Sequence, residues 1–190
     1  MFVIKYSYKY DLISIVKGYG TYKENPTPMF DINIPTTDLK DGKHNYINPE
    51  YFIHVAEINH TIIQLSRQMF EKTCRFAVDN NIFDRGINDM NINISPIQCQ
   101  DKHLVQDLKK IAAKYGIPFE RFHFEITESR LTDEKAVRET LTKLKENGAK
   151  IALDDFGTGY SNIASIMLMP IDFVKIDKSL LWSYASGDNE

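Results

Sequence analysis

From Asp89 to Asp177 the chain switches repeatedly between two hydrophobic periods, and that alternation leaves few folds open. Asp89 to Ser95 sets Met90, Ile92 and Ile94 two residues apart among asparagines, which predicts a strand ending near Ser95. Asp101 offers a helix cap, and Leu104, Leu108, Ile111, Ala112 and Tyr115 share one helical stripe that Gly116 and Pro118 terminate. The unit then recurs. Phe122 to Thr127 predicts a strand. Thr132 caps a helix that has Asp133 and Glu134 in its first turn, buries Val137, Leu141 and Leu144, and ends at Asn147-Gly148. Lys150 to Asp154 predicts the next strand, Ser161 to Leu168 a helix stopped by Pro170, and Phe173 to Ile176 a further strand. Strand and helix at this spacing call for parallel pairing through right-handed crossovers. A closed barrel and an open doubly wound sheet both satisfy the pattern.

Upstream, Pro49 suits a first helical position ahead of Tyr51, Phe52, Val55 and Ala56. Thr61 to Val78 carries Ile62, Leu65, Met69, Thr73 and Phe76 on one predicted stripe. Residues 1–28 form an N-terminal segment rich in strand-favouring Tyr, Ile and Val, closed by Asn25-Pro26-Thr27-Pro28, and residues 29–190 form the main domain. A short apolar run, Met29 to Ile34, stops at Pro35; a polar stretch with the turn signal Asp41-Gly42 follows.

Bulk properties exclude several classes of function. A length of 190 residues with 43% hydrophobic and 26% charged residues suits one globular domain. The net charge of −3 and the lack of a basic run give duplex nucleic acid no footprint. Cys74 and Cys99 have neither disulfide-framework nor metal-finger spacing and read as reduced, buried thiols. No apolar stretch approaches the roughly 20 residues of a membrane span, and the first residues lack a secretory pattern, so the expected location is cytoplasmic.

Parallel α/β folds gather their chemistry at the carboxyl ends of the strands, which share one rim. Here those ends read Asn93-Ile94-Ser95, Glu125-Ile126-Thr127-Glu128, Asp154-Asp155 and Lys175-Ile176-Asp177. A lone carboxylate at such a place is most often a cap or a surface charge; recurrence on four consecutive strands points to a site. Crowded carboxylates either take up protons or share a cation. Oxygen donors without His or Cys favour Mg²⁺, Mn²⁺ or Ca²⁺ over zinc. The adjacent Asp154 and Asp155 suit two ions flanking a phosphodiester, and Lys175 suits water orientation or phosphate balance. Phe156-Gly157-Thr158-Gly159 follows as a loop whose glycines free the backbone beside a charged ligand.

These strings resemble one family closely. Asp154 to Ser161 is similar to the DDFGTGYSS signature of the EAL domain, the hydrolase of the bacterial messenger cyclic di-GMP. Glu125 to Glu128 resembles its ExTE motif, Asn93 to Ser95 its NxS, and Lys175 to Asp177 its KID; Asn48 to Glu57 resembles the helix after its first catalytic strand. The likeness covers roughly residues 45–182. It implies a modified (β/α)₈ TIM-like barrel that opens one phosphodiester of cyclic di-GMP using Mg²⁺ or Mn²⁺. It further implies Asn93, Glu125, Asp154 and Asp155 as metal ligands, Lys175 as the water-orienting or base-like group with Asp177 as companion, and a loop from Phe156 coupling metals, ligand and homodimer contacts.

Three departures accompany the likeness. At the name-giving Glu-Ala-Leu stands Asp31-Ile32-Asn33, so the metal ligand there is one methylene shorter. Pro35 replaces the arginine that usually holds the dinucleotide. The last residue, Glu190, follows the sixth strand, so the barrel is expected to be incomplete, without its last strands and their site glutamate and glutamine, and residues 1–28 are candidates for substitute strands. The expectation is a divergent domain whose hydrolysis is weakened or lost. The alternatives are a working phosphodiesterase and a non-catalytic module that senses ligand or dimerises.

Overall fold

Strands β3 (Met29–Asp31), β4 (Asp89–Asn93), β5 (Phe122–Thr127), β6 (Lys150–Phe156) and β7 (Phe173–Ile176) lie side by side in chain order, and every neighbouring pair is parallel. The computed structural model describes residues 2–7, 12–17, 29–31, 49–128, 134–158, 166–177 and 179. Helices α1 (Pro49–Ile58) and α2 (Ile62–Asp79) join β3 to β4. The short α3 (Pro96–Cys99) and α4 (Leu104–Lys114) lead to β5, and α5 (Glu134–Glu146) leads to β6. A doubly wound sheet reverses its strand order at a switch point; this one advances in a single direction, as a barrel wall does.

The two faces of the sheet settle the matter. Met90, Phe122, Phe124, Ile126, Ile151 and Leu153 are fully buried and form one cluster with Phe70, Cys74 and Ala77 of α2, Leu104, Leu108 and Ala112 of α4, and Val137, Leu141 and Leu144 of α5. At its centre the Phe70 and Phe122 rings stand 4.7 Å apart, with Phe119 5.8 Å from both Phe122 and Phe124. The alternate residues, on the opposite face, are largely polar. A sheet with helices on one face and polar groups on the other is a segment of a (β/α) barrel wall, seen from outside and inside respectively.

Local details follow the sequence with two corrections. Helix α2 is turned relative to its predicted stripe: it buries Ile62, Phe70, Thr73, Cys74 and Ala77, while Leu65, Met69 and Phe76 are only half-buried. Small Cys74 and Ala77 let the helix axis approach the sheet and leave Phe70 to fill the space over Phe122. Asp101 caps the turn before α4 rather than the helix itself. Its carboxylate accepts from the His103 amide at 2.9 Å, the helix begins after His103, and Arg67 pairs with Asp101 across to α2. Thr132, Asp133 and most of the 161–168 helix lie outside the described residues.

The N-terminal strands β1 (Phe2–Ser7) and β2 (Leu12–Lys17) pair antiparallel as a two-stranded sheet that is not hydrogen-bonded to the parallel sheet, with β1 lying against β3. No helix among the described residues is long and apolar enough to cross a membrane.

Gly148 closes α5 with a Schellman turn. Its amide donates to Lys145 O at 2.8 Å and the Ala149 amide to Leu144 O at 3.2 Å. Its φ is +96°, and a Cβ there would come within 2.7 Å of the Glu120 side chain. Gly148→Ala is therefore expected to cost about 1–2 kcal/mol in urea unfolding. An unchanged midpoint would show that the helix end relaxes without penalty.

Candidate metal and phosphodiester site

On the inner face, Asn91, Asn93, His123, Glu125, Thr127, Asp154 and Lys175 occupy alternating strand positions. Register fixes their relative heights. Asp31 pairs with Asn91, two residues before Asn93; Asn93 pairs with Glu125; Glu125 pairs with Ala152, two residues before Asp154; and Lys175 follows Val174, the partner of Leu153. From Asp31 to Lys175 the row thus climbs four residues over four strand steps, in two steps of two, an average of one per strand. That is the stagger of an eight-stranded barrel of shear 8. Residues at different strand heights are in this way brought level at one rim.

Lys175 ties the row together. Its Nζ contacts Glu125 Oε1 directly and lies 3.7 Å from Asp154 Oδ2. Glu125 is only 3% exposed, and the Asp154 side chain is partly open. Asn93 is exposed at the end of β4, available to an incoming ligand. Below them His123 is 2% exposed, 3.7 Å from Asp89 and beside the Phe173 ring, with neither ring nitrogen hydrogen-bonded. Burial holds its pKa below the ordinary histidine value. Thr127 Oγ1, also buried, has no hydrogen-bond partner either. Unsatisfied polar atoms gathered on one face are rare in interiors and suit a face built for ligand or water. Sequence periodicity gives no notice of His123; only its inward register does.

The pairing of β6 with β7 is irregular between Leu153 and Phe156, and Asp155 sits there with φ +54°. Such a bulge re-aims a side chain that strict alternation would send to the other face. It brings Asp155 into the field of Asp154, Asp177 and Lys175. Although the residue is exposed, some desolvation of its carboxyl, then repulsion from Asp154 and Asp177, raise its pKa above the usual value despite Lys175. The loop is tied at both ends: Gly157 donates its amide to the buried Glu128 at 2.7 Å, the Thr158 hydroxyl donates to Asp155 O at 2.8 Å, and the Asp177 amide donates to Phe156 O at 3.1 Å. Asp177 also accepts from the Ser179 amide. Gly159 and Pro35 lie outside the described residues, and Asp31 is placed by register alone.

The raised Asp155 pKa has a definite sign. Ionisation is disfavoured in the folded state, so this group favours folding below the ordinary carboxylate pKa and opposes it as pH rises through the folded value. Asp155→Asn, which tolerates the same left-handed backbone, is expected to gain roughly 0.5 kcal/mol at pH 7 after screening. The gain should vanish near pH 3 in thermal melts; a constant gain across that range would refute the electrostatic cause.

Behind the rim, Ser95 starts α3 with a capping box. Its hydroxyl accepts from the Ile97 amide, and its own amide donates to Gln98 Oε1. The Ser95 hydroxyl donates to buried Glu57 of α1 at 2.8 Å, and Gln98 Nε2 donates to Ser66 of α2 at 2.6 Å. This network fixes the end of β4 just after Asn93. The spacing Ser95-Pro96-Ile97-Gln98 carries the cap signal in the sequence.

The donor set fits a hard divalent cation in kind: carboxylate and amide oxygens, with a positive charge already held between two of them. Among the described residues no three His, Cys, Asp or Glu side chains converge closely enough to enclose an ion. Glu125 and Asp154 are the pair brought together by Lys175, with Asp155 and Asp177 electrostatically adjoining.

Comparison with known proteins gives the same direction. A family model described as EAL domain matches residues 36–190. The signalling protein YkoW of Bacillus subtilis is 36% identical over 135 residues, which is 70% of this chain and 17% of YkoW. The cyclic di-GMP phosphodiesterase PdeF of Escherichia coli is 32% identical over 150 residues, 78% of this chain and 20% of PdeF. The solved structure of the PaMucR phosphodiesterase in its c-di-GMP complex superposes with a TM-score of 0.65 at 27% identity, covering 78% of this chain and 62% of that one. The chain therefore spans about a fifth of the length of these curated relatives.

Proposed function

The chain belongs to the EAL-domain family, and from that premise we propose that it is a module which binds cyclic di-GMP with Mg²⁺ or Mn²⁺ and hydrolyses it weakly. The observation that carries the reading is the level rim on which Lys175 meets both Glu125 and Asp154. Asn93, Glu125, Asp154, Asp155 and the shorter Asp31 would hold the metal, which supplies charge stabilisation to the phosphodiester. Lys175, flexible and cationic, orients the attacking water or balances phosphate charge, and Asp177 steadies its surroundings. Glu128, through the Gly157 amide, couples the Phe156–Gly159 loop to the strand that carries Glu125. Weakening is attributed to Asp31 and to Pro35: a shorter ligand at one end of the row, and no cation where a dinucleotide phosphate would be gripped.

The test is incubation with cyclic di-GMP and Mn²⁺, following binding by calorimetry and linear product by chromatography. Binding with slow conversion is the expected result. Rapid conversion would favour the second reading, an active phosphodiesterase, which the intact Asn93, Glu125, Asp154, Asp155 and Lys175 support. Absence of binding would reject both and leave an interaction module. Half-exposed Phe173, Val174 and Ile176 on β7 favour that last reading, and light scattering for a homodimer would test it.

A further inference from the structure

We propose that Lys175 is the built-in counter-ion of the acidic rim, competing with a divalent metal for Glu125 and Asp154; the inference rests on the reading of this rim as a metal site. Glu125 is 3% exposed, and a charge so buried is kept only with a partner. The cation that meets it is Lys175, whose Nζ contacts Glu125 Oε1 and stands 3.7 Å from Asp154 Oδ2. A divalent ion takes carboxylate oxygens at about 2–2.5 Å. Ligated by the same two carboxylates, it would lie within roughly 4 Å of the ammonium, where like charges repel strongly in a partly buried setting.

The two cations therefore exchange rather than coexist in full contact. The fold gives the lysine a way out. The Lys175 side chain is 20% exposed, is carried on a strand with exposed Val174 and Ile176 to either side, and has a four-carbon stem with rotational freedom. Displaced from Glu125, the ammonium remains beside the rim, where a phosphodiester would offer it a new partner. One residue would thus stabilise the carboxylates before metal arrives and serve the phosphate afterwards.

The experiment needs no turnover. Free Mn²⁺ is titrated by electron paramagnetic resonance, and thermal unfolding is followed with and without Mn²⁺, for the wild type, Lys175→Met and Lys175→Arg. Lys175→Met is expected to bind Mn²⁺ at least about ten-fold more tightly. Without metal it should melt roughly 5 °C or more lower, and it should gain more from Mn²⁺ than the wild type gains. Lys175→Arg, keeping the charge, should stay near wild-type affinity. Should Lys175→Met not fold, Lys175→Gln carries the same comparison. Wild-type binding without tighter binding in the neutral variant overturns the competition alone. No Mn²⁺ binding by any form overturns the metal reading and this inference with it.

Discussion

Truncating Phe122 to alanine is expected to remove about 3–5 kcal/mol of stability, because the ring has no exposure and leaves a cavity that its neighbours cannot fill. Phe70 at 4.7 Å and Phe119 at 5.8 Å come from α2 and from the turn before β5, so both lose their shared partner at once. For a chain of this length the melting temperature should fall roughly 10 °C or more. The change also bears on the site: Phe122 and Glu125 share β5 but face opposite sides, so a loosened outer layer alters the support of the inner rim. Urea unfolding checks it, and a loss under about 1 kcal/mol would mean that the aromatic cluster is not the core of this domain.

Asp154→Asn is expected to do the opposite, sparing the fold while disabling the site. The side chain is 27% exposed and its charge meets Lys175 only at 3.7 Å, while the Asp155 amide that donates to its Oδ1 at 3.0 Å can donate equally to an asparagine oxygen, so little stability rides on the charge. In the proposed function, where it would be a metal ligand facing the phosphodiester, it matters far more. Any Mn²⁺-dependent opening of cyclic di-GMP should fall by on the order of 10²–10³-fold, with Mn²⁺ affinity reduced in parallel. Measuring metal affinity and product formation on one preparation, with the melting temperature as control, separates this from unfolding. Turnover unaffected by the substitution would remove Asp154 from the site.

Much of this was legible because the motifs are local. The strings at Asn93, Glu125, Asp154 and Lys175 each sit at the end of an apolar run, so a strand-helix reading locates them without any long-range knowledge. Strand boundaries at Phe122–Thr127 and Phe173–Ile176 match the structure, since glycine, proline and charge punctuate them clearly. The turn of α2 was not legible: periodicity weighs large residues, whereas packing selected small Cys74 and Ala77 so that the helix could close on the sheet. The bulge at Asp154–Asp155 was hidden for a related reason. A register shift is decided by two strands together, and neither announces it alone.

The sequence by itself determined the succession of strands and helices along the chain, the chemical type of the residues at the strand ends and membership of the family, because these depend on neighbours along the chain. Tertiary structure alone decided that, among the described residues, helices α2, α4 and α5 cover one face, that the opposite face is polar, and that the row from Asp31 to Lys175 climbs on average one residue per strand. The physical reason is that sheet twist and shear are collective. Each strand is tilted by its neighbours until residues at unequal positions along the chain stand level, and only then does Lys175 reach Glu125 and Asp154 together.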